Sequence, residues 1–138
     1  MMSMFKVFDT AASGMSAQSM RLNLVSSNLA NVDSISSSIG GTYRARHPVF
    51  AAILNQQNPD DPSVGVQVKG IVESQAPLNM EFAPNNPMAN EEGYIFRPNV
   101  NVVEEMANMI SASRTYQSNV EVVNATKQLM SATLRMGE

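Results

Sequence analysis

The side chains that could carry chemistry in this sequence are few, and their spacing does not gather them. The single histidine, His47, precedes Pro48 in a strand-like run with no Cys, Asp or Glu at ligand spacing beside it. A general base needs a group to orient it, and a metal ligand needs companions. His47 therefore reads as a surface or inter-subunit polar contact. The acidic doublets Asp60 with Asp61 and Glu91 with Glu92 sit in turns flanked by Pro or Gly and lack calcium-loop spacing, so both read as solvated turns. Gly40 and Gly41 stand alone in a serine-rich stretch and form no phosphate-cradling motif. The serines have neither a G-x-S-x-G setting nor a partner base. Cysteine is absent, which removes thiolate nucleophiles, thiolate metal sites and disulfides. Eleven methionines raise the question of a soft-metal site, but none is interleaved with Cys or His. Methionine at seam positions of helices is an adaptable packing residue. The expectation is a protein that is not an enzyme, with no catalytic residue, no cofactor and no metal.

Charge excludes a further class. The net charge of −3 gives no basic excess for a phosphate backbone, so nucleic acid is not an expected partner. Only 15% of residues are charged, against about 25% in ordinary domains. Ser, Asn, Gln and Ala make up the difference. No run has the length of a membrane span, and Lys6, Asp9 and Thr10 interrupt the start, so a cleavable signal peptide is not expected.

The elements that must position these residues follow from the prolines. All seven lie between Pro48 and Pro98, leaving proline-free arms on either side. Proline breaks helices, so the arms are the helix candidates. In the first arm Met4, Phe8, Ala11, Met15, Gln18, Leu22, Val25, Leu29 and Val32 recur at steps of four and three. In the last, Val102, Met106, Met109, Ser113, Tyr116, Val120, Val123, Lys127, Met130 and Leu134 do the same. Such stepping is the seam of a coiled-coil-like helix. Asn101 is the expected N-cap, with Glu104 and Glu105 favourably placed against the helix dipole. Lys127 and Arg135 have the complementary sign near the other end, where Gly137 is the expected stop. The first helix is expected to end at Asn31 through a left-handed cap, before a turn at Asp33 and Ser34.

Between the arms, alternation marks strands at Val64 to Val72 and Leu78 to Phe82, with further candidates at Tyr43 to Leu54 and Gly93 to Arg97. The segments 55–65 and 83–93 read as turns or loops. The fold class is thus α+β: two long terminal helices paired as a coiled-coil-like hairpin, with a small β-rich domain inserted. Its divisions are an N-terminal helix at 1–32, a linker and β domain at 33–100, and a C-terminal helix at 101–138.

The helix exteriors are unusual. A long solvated helix normally carries interspersed Glu and Lys. The first arm instead shows Ser13, Gly14, Ser16, Ala17, Ser19, Ser26, Ser27 and Ala30, and the last is similarly rich in Ser, Asn, Ala and Thr. Small uncharged exteriors are easily desolvated, which lets a helix pack on more than one side.

Two blocks carry a resemblance. "SAQSMRLNLVSSNLANVDS" followed by "YRARHPVF", and "PNVNVVEEMANMISASRTYQSNVEVVNATKQLM", together resemble the proximal rod proteins of the bacterial flagellar basal body, members of the axial rod and hook family. The residues carrying it include Asn28, Leu29, Ala30 and Asn31 of "SNLAN", and Pro98, Asn99, Arg114 and Tyr116 of the C-terminal block. The resemblance implies a structural subunit exported unfolded through the flagellar type III apparatus, without a cleaved signal, into the periplasmic space. There it would polymerise helically with itself and other rod proteins into a hollow, torque-transmitting shaft serving motility. The terminal helices would line the export channel, with the β domain outside. A soluble coiled-coil adaptor or export chaperone is the alternative expectation for such seams.

Overall fold

A computed structural model describes residues 2–54, 60, 61 and 63–137, with side chains from Met4 onward. The element order is α1 (Met2–Ala30), β1 (Arg46–Ile53), β2 (Gly65–Glu73), β3 (Asn79–Phe82), β4 (Tyr94–Arg97) and α2 (Val102–Met136). Most of the turn expected over 55–65 lies outside the described residues.

The two helices occupy the proline-free arms. At 1.5 Å per residue, α1 is about 43 Å long and α2 about 52 Å. They pack antiparallel: Gly14 faces Asn119, Arg21 reaches Asn108 and Asn28 reaches Glu105. The N-terminus of α2 is capped by the Asn101 side chain, which accepts from the amides of Val103 at 3.1 Å and Glu104 at 3.2 Å. These amides have no intrahelical partner, so the cap satisfies otherwise orphaned donors.

The first helix ends differently from the expectation. No described residue other than Gly93 has a positive φ, so Asn31 does not take the left-handed conformation. Its side chain instead donates to the Ser27 carbonyl at 2.8 Å, the same oxygen that its own amide reaches at 3.1 Å. An amide side chain can satisfy a terminal carbonyl directly, which removes the need for a strained backbone. Gly137 likewise ends α2 in right-handed geometry, with φ −80°.

The small β-rich region between the helices consists of two antiparallel ribbons. β1 pairs with β2, Arg46 opposite Glu73 and Ile53 opposite Gly65, with a register shift between Val49 and Phe50. β3 pairs with β4, Asn79 opposite Arg97 and Phe82 opposite Tyr94. The serine-rich segment after α1 is tied to this second ribbon, because Ser36 and Phe96 exchange backbone hydrogen bonds at 2.9 and 3.0 Å. The β3–β4 connection closes at Gly93, φ +85°, where a Cβ would come within 2.9 Å of the Phe82 ring. Only glycine meets both conditions without strain.

The β1–β2 ribbon folds back along α1. Ser13 Oγ donates to the Thr10 carbonyl and accepts from the Val66 amide at 3.0 Å. Farther along, Lys6 Nζ donates to the Asp61 carboxylate, which also accepts from the Ser63 amide and hydroxyl. The Lys6 ammonium, with the two Ser63 donors behind it, holds the Asp61 carboxyl well below the usual carboxylate range.

The buried apolar side chains among the described residues are Ala11, Ala17, Leu24, Val25, Ala45, Ile95, Val100 and Ala112. Half of them are alanine, whose burial contributes little area to the hydrophobic effect. The large apolar residues Phe5, Val103, Met106, Ile110, Leu129 and Leu134 are exposed, Val103 at 78%.

Candidate functional site

Where α1 ends and α2 begins, the described residues build their most completely buried polar cluster. Asn28 is 0% exposed and Glu105 is 2% exposed. Asn28 Nδ2 donates to Glu105 Oε2 at 3.1 Å and to the Arg46 carbonyl at 2.9 Å. Its Oδ1 accepts from the Arg46 amide at 3.0 Å and from the Tyr43 hydroxyl at 2.7 Å. One side chain thus joins both helices to the first residue of β1. Ser27 Oγ lies 3.2 Å from the Tyr43 hydroxyl, and the Arg46 guanidinium lies 5.4 Å from the Tyr43 ring centroid. Buried polar groups retain their solvation only through such partners. Glu105 also sits in the first turn of α2, where the helix dipole favours a carboxylate.

A second amide organises the way back into α2. Asn99 Oδ1 accepts from the Ala45 amide at 2.8 Å, and its Nδ2 donates to the carbonyls of Ser74 at 3.2 Å and Ala76 at 2.9 Å. Arg44 reaches the same two carbonyls, at 3.1 and 3.3 Å. Pro98, fully buried beside it, fixes the approach of the chain to the Asn101 cap. The arrangement holds segments in register. Among the described residues no three His, Cys, Asp or Glu are grouped to hold a metal ion, and no helix is long and apolar enough to cross a membrane.

Of the residues expected on the helix seams, Ala11 and Val25 are buried. Met4, Met15, Leu22, Leu29, Met109, Tyr116, Val120, Val123 and Met130 are half-buried, while Phe8, Val102, Met106 and Leu134 are exposed in the single chain. Of the motif residues, Asn28 and Pro98 are buried, Leu29, Asn31, Asn99 and Tyr116 half-buried, and Ala30 and Arg114 exposed. Close and polar contacts between the helices also lie beside the apolar stripe, at Gly14, Arg21 and Asn28 of α1 and at Glu105, Asn108 and Asn119 of α2. Glu105, Asn108, Arg21, Tyr43 and Arg46 lie outside the apolar repeats. The signal was present as a seven-residue step among small and polar residues: 14, 21, 28 in one arm and 105, 112, 119, 126 in the other.

Both helical arms match known protein families. Residues 91–136 match the family model described as flagellar basal body rod FlgEFG protein C-terminal, and residues 8–34 match that of the flagella basal body rod protein. The chain is 47% identical to flagellar basal-body rod protein FlgC of Yersinia enterocolitica over 137 residues, 99% of this chain and 100% of the relative. The chain belongs to the FlgC family of flagellar basal-body rod proteins. The FlgC of Salmonella typhimurium is 45% identical over the same extent. Against that of Borreliella burgdorferi identity is 34% over 147 residues, 96% of this chain and 97% of the relative. The two family models cover most of α1, β4 and α2, and the β1–β2 ribbon lies outside them.

Proposed function

We propose that this chain is a structural, non-catalytic subunit of the flagellar basal-body rod, polymerising helically with copies of itself and with other rod proteins into a hollow, torque-transmitting shaft. In this reading 1–32 and 101–138 form the axial core around the export channel, and 33–100 form the outer domain. The subunit passes unfolded through the flagellar type III export apparatus and takes its place in the rod across the periplasmic space.

The observation that carries the proposal is the inversion of apolar packing along the helices. Alanines fill much of the inside, while Val103, Met106, Ile110, Leu129 and Leu134 line the outside of α2. A helix that leaves such residues in water gains stability when a neighbour covers them, each burial contributing about 1.5–3 kcal/mol. Phe8, Val102, Met106 and Leu134 are assigned to contacts between subunits. Ala11, Val25 and the half-buried seam residues are assigned to the packing that assembly completes.

The test is mass spectrometry of detergent-extracted basal bodies from the source cell, quantifying this chain against rod and hook subunits. Fixed stoichiometry supports the reading; a soluble chain absent from basal bodies refutes it. A corollary is that dilute chain has incompletely helical termini that become helical on assembly. Full helicity of a dilute monomer by far-UV circular dichroism counts against the corollary.

A further inference from the structure

A cleft of about 340 Å³ opens between α1, the start of α2 and β1, next to the Asn28 junction. Leu24 and Val25, both buried, form its apolar floor, and Pro48 and Phe50 form one wall. The polar groups around it are Arg21, Arg46, His47 and Asn108. No carboxylate lines it. Arg21 is half-buried, and its contacts are to neutral oxygens: Asn108 Oδ1 at 3.0 Å and a long approach of 3.5 Å to Gln18. Among the described residues no acid pairs with it. Arg46 meets Glu73 only at 3.7 Å, with both side chains about half exposed. Glu105 is one turn from Asn108 on α2, but its carboxylate faces Asn28 rather than the cleft.

A half-buried guanidinium held by neutral oxygens has given up water without gaining an anion, and its planar fork matches a carboxylate in bidentate fashion. The apolar floor and wall fit a carboxylate flanked by hydrocarbon better than a free inorganic anion. We infer that this cleft receives a Glu or Asp side chain, flanked by apolar residues, from another polypeptide. Arg21 supplies the bidentate contact and Phe50, 39% exposed, the adjoining apolar surface, while the Arg46 guanidinium is held over the Tyr43 ring and beside Glu73. The inference deepens the assembly proposed above and rests on it only for which chain supplies the segment.

The test is a chemical-shift titration of the isotope-labelled full chain with four probes: capped Leu-Glu-Leu, capped Leu-Gln-Leu, acetate and inorganic phosphate. Saturable shifts at His47 and the Arg21 side chain with the Glu peptide, about tenfold weaker with the Gln peptide and with Arg21→Gln, are expected. Arg21→Lys keeps the charge without the fork and should fall between. Helicity measured on each variant separates lost binding from lost folding, and His47→Ala serves if both Arg21 variants unfold. Equal binding of the Glu and Gln peptides, preferential binding of phosphate, or no shift with any probe overturns the inference. None of these outcomes bears on whether the chain is found in basal bodies, so the two readings fail separately.

Discussion

Replacing Asn28 with alanine should be the most damaging small change in this chain. Its amide makes four hydrogen bonds, at 2.7 to 3.1 Å, and no part of it is exposed. A neutral bond contributes about 1 kcal/mol net, and one to a charged group about 1.5–3 kcal/mol. The Tyr43 hydroxyl has Ser27 as a substitute partner, so its loss counts for little. The Arg46 amide and carbonyl and the Glu105 carboxylate have no substitute among their contacts, and leaving them unpaired adds a desolvation penalty. Together these place the loss at about 3–5 kcal/mol, a large share of the about 5–15 kcal/mol that stabilises a whole domain. The assay is urea unfolding of dilute chain followed by far-UV circular dichroism, for Asn28→Ala, Glu105→Ala and the pair. A coupling of about 1.5–3 kcal/mol between the two sites is expected. A loss below about 1 kcal/mol for Asn28→Ala, or independent additive losses, would refute the claim that this amide joins the two helices.

Other outcomes follow from single contacts. Gly14→Ala places a Cβ 2.8 Å from Asn119 Nδ2; in an Asn119→Ala background, where that clash is gone, the same change should stabilise by about 1 kcal/mol in thermal unfolding, as helix propensity dictates. Asn101→Ala removes the α2 cap and should cost about 1 kcal/mol, read as faster amide exchange in the first turn of α2. The Asp61 carboxyl is depressed in the folded chain, so its contribution to stability is present above the unfolded carboxylate range near 4 and is lost as pH falls below it. Asp61→Asn should therefore flatten the acid limb of the stability profile relative to the parent, and an unchanged limb would contradict the assignment. Ile110→Ser and Leu129→Ser alter exposed positions and should leave the dilute chain's unfolding within about 0.5 kcal/mol of the parent while abolishing its incorporation into basal bodies.

Much of the architecture was legible because its signals are local. The confinement of proline to the middle bracketed both helices, period-two alternation located β2 and β3, and Asn101 with its following acids marked the start of α2. What remained hidden depends on contacts between distant segments. Asn28 was visible as a motif residue, but its pairing with Glu105 and Arg46 was not, because a hydrogen bond between residues 77 apart leaves no periodic trace. The apolar stripe was readable, whereas the contacts of Gly14, Arg21 and Asn28 with α2 fall on small and polar residues that carry no hydropathy signal. The serine-rich segment read as a linker because serine has weak strand preference. Its pairing with Phe96 comes from the backbone, which composition does not encode. The Asn31 side chain competes with a left-handed cap for the same role, and nothing local decides between them.

The junction at Asn28 also sets an order of events in time. Its α1 half is complete within the first 30 residues, but its acceptor Glu105 lies 77 residues later. Loop closure over that span is entropically unfavourable, and synthesis delivers the chain from its N-terminus. Until α2 arrives, α1 has only the β1–β2 ribbon beside it and lacks the helix that completes its buried junction. The junction that locks the two arms together thus closes only when the last quarter of the chain is in place, a delay built into the order of the sequence.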